Sequence, residues 1–469
     1  MINIPAVINN KHLYTLEQQD ICSIQNDIIG KISLFPRIRL YEIQNNVEGQ
    51  YKKACQMSVQ YILESLKEAA EIFQLMEFDI DGVKINKEIY TGLVSMSTGL
   101  PKEVVTSEIN EIAAFMNDLE KIVAVQTPDG SVDILDKNYY CINGQQIGFY
   151  PAGKSLAIKI PGNVPTICVY WLIPLAQKRP IILIPPIEDP FTHFLLFEAI
   201  KIASPEVASL ITFLPCNESI LASLFQMIDQ VMISESMKEM FYHSPEMLSK
   251  TYFIHYGRSK ILIDCDTPER YADAAYRRMT WNCGRTCTGL TSVIVKGDAR
   301  EFACHVSEKL KNITNDSVDN GCSVVPLFEL DRAKKMNEMI EEYIAKGEVE
   351  DITEEVRGSA RLYEFDRAGA LLPTVLYVKK KDSKMFGLEL PFPFITVINA
   401  EQEELIYYST NSLILSVVSD DKELINALCR ESTILKVFCG DYIERGYNYL
   451  DPHEGYIIDF TYQKKAVFV

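Results

Sequence analysis

Apolar residues recur at three- and four-residue steps early in the chain. Met57, Tyr61, Ile62, Leu66, Ala69, Ile72 and Phe73 form one such series, and Val105, Ile109, Ile112 and Met116 form another. That spacing puts each series on one face of a helix, so both read as packing faces without chemistry of their own. Between Ile122 and Ala157 the pattern shortens to β-like runs, Ile122-Val-Ala-Val, Ser131-Val-Asp-Ile and Gln146-Ile-Gly-Phe-Tyr, with turn signals at Pro128-Asp-Gly130 and Asn143-Gly144. The stretch is predicted to be extended and hairpin-like.

From Ser155 to Ile263 apolar strands alternate with helices. Strands are predicted at Leu156 to Ile160, Pro180 to Ile184, Ser209 to Phe213 and Gln230 to Ile233, with helices starting near Val164 and Phe191. A second alternating set follows, with strands at Ser292 to Val295, Val324 to Phe328, Thr374 to Val378, Phe394 to Ile398, Leu413 to Val418 and Ile434 to Phe438, and helices from Ala299 and Asp331. Fully apolar strands between helices imply parallel sheets covered on both faces. The first set has the character of a nucleotide-binding unit. The run from Tyr456 to Val469 alternates like a strand, and neither an internal repeat nor a low-complexity tract is present.

Length and composition fit this picture. A chain of 469 residues, 47% apolar, is long enough to bury two or three domain cores. The greasiest stretch, Ile167 to Pro186, carries Lys178 and Arg179 in its middle and is broken by prolines, so it is predicted to be a buried helix and strand and not a membrane span. The N-terminal residues lack the cationic start and apolar stretch of a secretory signal, which predicts a cytoplasmic protein. The net charge of -18 argues against a nucleic-acid surface, and it requires any anionic ligand to be held by local donors in a pocket. Twelve cysteines without a CxxC pair or a zinc-like Cys/His spacing are mostly ordinary thiols, and no metal site is expected.

Three short segments carry candidate chemistry. In Asn282-Cys-Gly-Arg-Thr-Cys287-Thr-Gly, Cys287 falls on a turn between the helical stretch Pro268 to Met279 and a strand, where backbone N–H groups can stabilise a thiolate. In Pro161-Gly-Asn163-Val-Pro165 an amide sits where a strand hands over to a helix, and it can aim N–H donors into the cleft at the carboxyl end of the sheet. In Glu389-Leu-Pro-Phe392-Pro-Phe394 a carboxylate precedes a strand.

These segments, in this order, resemble the nucleophile loop, the Pro-x-Asn-x-Pro segment and the Glu-x-x-Phe-Gly-Pro segment of the aldehyde dehydrogenase superfamily. Pro393 and Phe394 replace the last glycine and proline. The resemblance runs from about Gly148 to the C-terminus. It implies that Cys287 is the covalent nucleophile, that Asn163 donates to the developing oxyanion, that Glu389 holds the nicotinamide ribose and that Phe392 lines the nicotinamide site.

It also implies an α/β fold with a Rossmann-like cofactor domain (1–121 and 149–256) that has a helical N-terminal region, an α/β catalytic domain (257–443) and a β-flap oligomerisation element (122–148 and 444–469). A homodimer or homotetramer follows from such a flap.

The departures matter as much. Where oxidising members of the superfamily carry a glutamate that activates water, this chain has His255-Tyr-Gly-Arg-Ser. Without that carboxylate an acyl-enzyme should resist hydrolysis and be open to transfer to or from a thiol, and His255 itself could serve as an acid or base. Gly153-Lys-Ser-Leu, Asp189-Pro-Phe-Thr and Tyr256-Gly-Arg-Ser-Lys-Ile-Leu-Ile-Asp264 are similar to segments of the fatty acyl-CoA reductases of bacterial luminescence operons.

The implied activity is reduction of an acyl-CoA or carrier-bound acyl thioester to an aldehyde by NADPH or NADH. NADPH is slightly favoured, with Ile184 and Pro185 at the adenosine-ribose position where oxidising members have a lysine and a glutamate nearby. Two alternatives stay open: an NAD(P)+-dependent aldehyde dehydrogenase that forms the acid, and a superfamily member without catalysis.

Overall fold

The computed structural model describes residues 2–440 and 448–467. Two seven-stranded sheets organise the molecule. In the first, strands β1 (Leu156–Lys159), β2 (Ile181–Ile184), β3 (Ile211–Phe213), β4 (Gln230–Ser234) and β5 (Thr251–Ile254) run parallel in the order β5-β4-β1-β2-β3. Chain order reverses between β1 and β4, which makes their carboxyl ends a topological switch point. The second sheet runs parallel through β6 (Ser259–Ile263), β7 (Leu290–Val295), β8 (Thr374–Val378), β9 (Phe394–Asn399), β10 (Ser412–Val418) and β11 (Ile434–Cys439), ordered β8-β9-β7-β6-β10-β11, with Val349–Asp351 antiparallel on its edge.

Both sheets are buried on two faces, as their unbroken apolar strands require: every residue of β7 is buried, and so is every residue of β10. Helices Pro190–Ala203 and Ala299–Leu310 follow the predicted starts closely.

Three sequence expectations need correction. The stretch from Ile122 to Lys137 is not extended: Leu119–Gln126 and Ile134–Lys137 are helices joined through turns at 127–133, the second ended by Asn138 at φ 61°. Leu119, Ile122, Val123 and Gln126 are buried at three- and four-residue spacing, so tertiary burial of one face overrides the β-branched composition that suggested strands. The C-terminal run begins as a helix, Ile457–Thr461, before the strand Tyr462–Ala466; its last residues, 468–469, lie outside the described residues, as does the 443/444 boundary. The N-terminal region, expected to be helical, opens with five short strands, of which Ala6–Ile8 and Lys11–Leu13 extend the first sheet beyond β3 in antiparallel sense.

The Asn143-Gly144 hairpin is present, with both turn residues at positive φ between Ile142 and its partner Gln145. Tyr462–Ala466 pairs antiparallel with Gln145–Pro151, giving a separate three-stranded sheet whose outer strands each keep one edge unpaired among the described residues. Among the described residues no helix is long and apolar enough to cross a membrane, and no group of His, Cys, Asp and Glu side chains is arranged to hold a metal ion.

Candidate active site

The carboxyl edge of the first sheet faces the amino edge of the second. From the first comes the loop 160–164 after β1, carrying Asn163; from the second comes the loop before β7, carrying Cys287, and the loop before β9, carrying Glu389 and Phe392. The Cys287 loop follows the helix Ala272–Thr280 and turns through three successive positive φ values, Asn282 (44°), Cys283 (56°) and Gly284 (68°). Left-handed backbone at two non-glycine residues is strain that the surrounding packing must hold. Gly284 permits close approach to the Phe392 loop, since a Cβ there would lie 2.6 Å from the Phe392 carbonyl oxygen.

Gly257 is tighter still: an added Cβ would lie 1.8 Å from the Cys287 carbonyl oxygen, which also accepts a hydrogen bond from Ser259 Oγ at 3.1 Å. Backbone presses on backbone, so no side-chain rotation relieves the clash. Gly257→Ala is therefore expected to displace Cys287 and lower turnover by about 100-fold, the order of loss that follows ångström-scale misplacement of a reacting group. Steady-state kinetics on a folded variant would check this, and unchanged turnover would contradict it.

Asn163 and Cys287 line one cavity of about 320 Å³, together with Val164, Ile167, Tyr170, Trp281, Thr286, Tyr449 and His453. His453 is the residue that reading the sequence missed. Its Nε2 lies 3.2 Å from Cys287 Sγ, and its Nδ1 lies 3.3 Å from Lys436 Nζ on β11. Nothing in Asp451-Pro-His-Glu-Gly signals a site, and 166 residues separate it from the cysteine.

The next residue, Glu454, accepts the His255 backbone N–H at 2.8 Å and the Tyr252 hydroxyl at 3.0 Å, which fixes this segment to the end of β5. Burial pushes the Cys287 thiol up to about 12, with the Glu454 and Glu389 carboxylates acting in the same sense and Lys436 against them. Burial, followed by Lys436, pushes His453 down to about 3, so its imidazole is neutral. Which ring nitrogen carries the proton is set by these two neighbours.

Behind the cavity lies Glu108, fully buried on helix Lys102–Asn117. One carboxyl oxygen accepts the Thr166 N–H at 2.7 Å and the other contacts Asn282 Nδ2 at 2.6 Å, so a single side chain ties the Asn163 loop to the Cys287 loop. Burial, then the nearby Glu111, raises its pKa from 4.5 to about 8.

An acid held protonated in the native state and ionised in the unfolded one destabilises the fold progressively as pH rises from 4.5, and the cost is complete above about 8. Glutamine mimics the protonated form once the Asn282 amide, which now donates from Nδ2, turns over to present its oxygen. Glu108→Gln is thus expected to remain folded and to lose less melting temperature than the wild type between pH 6 and pH 9. An identical pH dependence in both proteins would contradict the assignment.

The other expected site residues are not among the described residues that line the cavity, although the Glu389 carboxylate acts on the Cys287 thiol. His255 is not among the described residues lining the cavity; its Nδ1 pairs with Glu235 Oε2 at 3.1 Å and its side chain is 45% exposed. Glu389 accepts the Gly257 N–H at 2.9 Å. Phe392 is 1% exposed and packs in the core of the second sheet, its ring 5.6 Å from Phe394. Ile184 and Pro185 are buried at the end of β2, where the Ile184 carbonyl accepts the Ile160 N–H.

At the switch point Gly162, without a side chain, follows β1, and Ser234 and Ser236 stand at the end of β4, the Ser236 hydroxyl donating to Ser234 Oγ at 2.9 Å. A nucleotide bound there would meet the Gly162 backbone and these hydroxyls. The Glu188 carboxylate closes over Gly162, since a Cβ there would lie 2.7 Å from Glu188 Oε2.

The family model of the aldehyde dehydrogenase family matches residues 75–456. Succinate-semialdehyde dehydrogenase (NADP+) 2 of Schizosaccharomyces pombe is 22% identical over 413 residues, which is 83% of this chain and 82% of that protein. Among solved structures, a salicylaldehyde dehydrogenase from Pseudomonas putida complexed with salicylaldehyde superimposes with a TM-score of 0.76 at 14% identity, covering 99% of this chain and 97% of that one. The NAD+ complex of aldehyde dehydrogenase from Bacillus cereus gives 0.74 at 16% identity, covering 100% and 96%.

Proposed function

Since the chain belongs to the aldehyde dehydrogenase family, we propose that it is an NAD(P)-dependent oxidoreductase that interconverts an aldehyde and a Cys287-bound thioester, most directly in the sense of aldehyde oxidation. The observation that carries this reading is the meeting of Cys287 and Asn163 on one cavity wall, each delivered by a different sheet. In that arrangement the Cys287 sulfur attacks the carbonyl carbon. The oxygen becomes an alkoxide facing Asn163 Nδ2 and the Cys287 backbone N–H, donors aimed where negative charge develops.

Bound NAD(P)+ supplies the hydride acceptor. Collapse of the hemithioacetal leaves a thioester on Cys287, and the enzyme is freed when water or a thiol takes the acyl group. Relatives named for NADP+ and NAD+ support either cofactor. Ile187 leaves space for a 2'-phosphate that Glu188 would oppose.

A second reading, reduction of an acyl-CoA or carrier-bound acyl thioester to an aldehyde, is favoured by His255. It stands in sequence where oxidising members carry the water-activating glutamate, and its ring is engaged with Glu235. Val164, Ile167, Tyr170, Trp281 and Tyr449 give the cavity apolar walls suited to a hydrocarbon acyl chain. The division into cofactor unit, catalytic unit and β-flap, with pairing of copies through the unpaired flap edges, belongs to the same proposal.

Product analysis tests it. Aldehyde and NAD(P)+ without added thiol are expected to give acid and NAD(P)H. Turnover only with coenzyme A, or aldehyde formed from acyl-CoA and NAD(P)H alone, would transfer the assignment to the second reading. No turnover in either direction despite cofactor binding would refute both.

A further inference from the structure

We propose that Lys436, acting through His453, is the cation that holds Cys287 as a thiolate, its ammonium donating to His453 Nδ1 so that His453 Nε2–H donates to the sulfur. The inference rests on the reading of Cys287 as the nucleophile.

Three separate elements converge to make this chain of contacts. Cys287 comes from the loop before β7, His453 from the segment that Glu454 fastens to β5, and Lys436 from β11, where it is only 7% exposed. Sγ to Nε2 is 3.2 Å and Nδ1 to Nζ is 3.3 Å, so one imidazole bridges a thiol and an amine through its two nitrogens.

The S–H bond breaks and its proton passes to solvent, sulfur keeping the electron pair. Lys436 Nζ stays an ammonium and donates to His453 Nδ1, so the neutral imidazole carries its own proton on Nε2 and donates it to the thiolate.

No imidazolium forms, which suits a ring whose protonation burial and Lys436 both oppose. A neutral histidine alone would be a weak partner for a thiol pushed up to about 12, because separating charge between them puts a cation in the same dry site. A lysine one ring further away keeps the opposite charge and lets Nε2–H donate to the sulfur. Among the described residues, the charged groups acting on Cys287 are Glu454 and Glu389, which oppose the thiolate, and Lys436, which favours it; the Tyr170 ring flanks His453 at 6.4 Å.

Site-resolved alkylation of Cys287 by iodoacetamide between pH 6 and pH 10.5, read by peptide mass mapping, tests the relay in the full-length protein. Wild type is compared with His453→Ala, His453→Asn, Lys436→Met and the double variant His453→Ala/Lys436→Met, each checked for an unchanged melting temperature and cofactor binding. Each single variant is expected to move the midpoint of the profile up by one pH unit or more, roughly tenfold slower alkylation at neutral pH, and to regain the wild-type rate at the alkaline end.

The double variant is expected to shift no further than His453→Ala, because the lysine acts through the ring. An unmoved midpoint in Lys436→Met or in both histidine variants, or additive shifts in the double variant, would overturn the relay. Loss of the whole plateau without a midpoint change would do the same by marking a merely structural role. Retained turnover in Cys287→Ala, by contrast, would overturn the reading of Cys287 and not the relay alone.

Discussion

Cys287→Ala is expected to abolish turnover in both directions while leaving melting temperature and nicotinamide cofactor binding unchanged. The side chain contributes little to the core: the residue keeps part of its surface open to the cavity, and the loop is held instead by Gly257, by Ser259 on the Cys287 carbonyl and by Glu108 on Asn282. Removing one sulfur atom leaves all of those contacts, so the fold survives.

The chemistry is not expected to survive, because in the proposed mechanism every step from attack to acyl release passes through a bond to that sulfur. No other cysteine is among the described residues that line the cavity. Cys283, the nearest in sequence, is fully buried with its thiol pushed up to about 12 and turned toward the Ser323 carbonyl. Measured turnover within tenfold of wild type would remove the covalent mechanism.

Asn163→Ala is the second large effect, a loss on the order of 100- to 1000-fold in turnover with little change in cofactor binding, the size seen when one oxyanion donor is removed from an acyl-transfer enzyme. The loop that carries Asn163 is rigid for independent reasons. β1 delivers it, Pro161 and Pro165 flank it, and the Thr166 N–H is tied to Glu108. Truncating the amide therefore removes a donor without releasing the backbone. Steady-state kinetics separates the two parameters: a fall confined to KM would assign Asn163 to substrate binding alone.

Much of this was legible in the sequence, and the reasons are physical. Strands buried on both faces must be apolar along their whole length, so Leu156–Lys159, Thr374–Val378 and Phe394–Asn399 stand out in a single sequence. Cys287 and Asn163 were singled out by the resemblance of their short segments to those of a known family, and the fold brings both to one cavity.

Segments whose identity depends on what they pack against were not legible. Ile122 to Val125 is β-branched enough to read as a strand, and only burial of one face makes it a helix. The Glu108 clamp could have been suspected from a carboxylate on the apolar face of a helix. His453 and Lys436 could not: their chemistry arises where β11 and a C-terminal loop arrive beside Cys287, and no local spacing records that meeting. His255 shows the converse, a residue placed by resemblance whose side chain the fold turns toward Glu235.

The most direct test of the account is the covalent intermediate itself. The protein is incubated with an aliphatic aldehyde and NAD(P)+, or with the corresponding acyl-CoA, quenched in acid, digested and analysed by mass spectrometry. The account predicts an acyl mass increment on the peptide that carries Cys287, lost on treatment with hydroxylamine and absent from Cys287→Ala. Steady-state product formation with that peptide unmodified, or with the acyl group on a different cysteine, would contradict it.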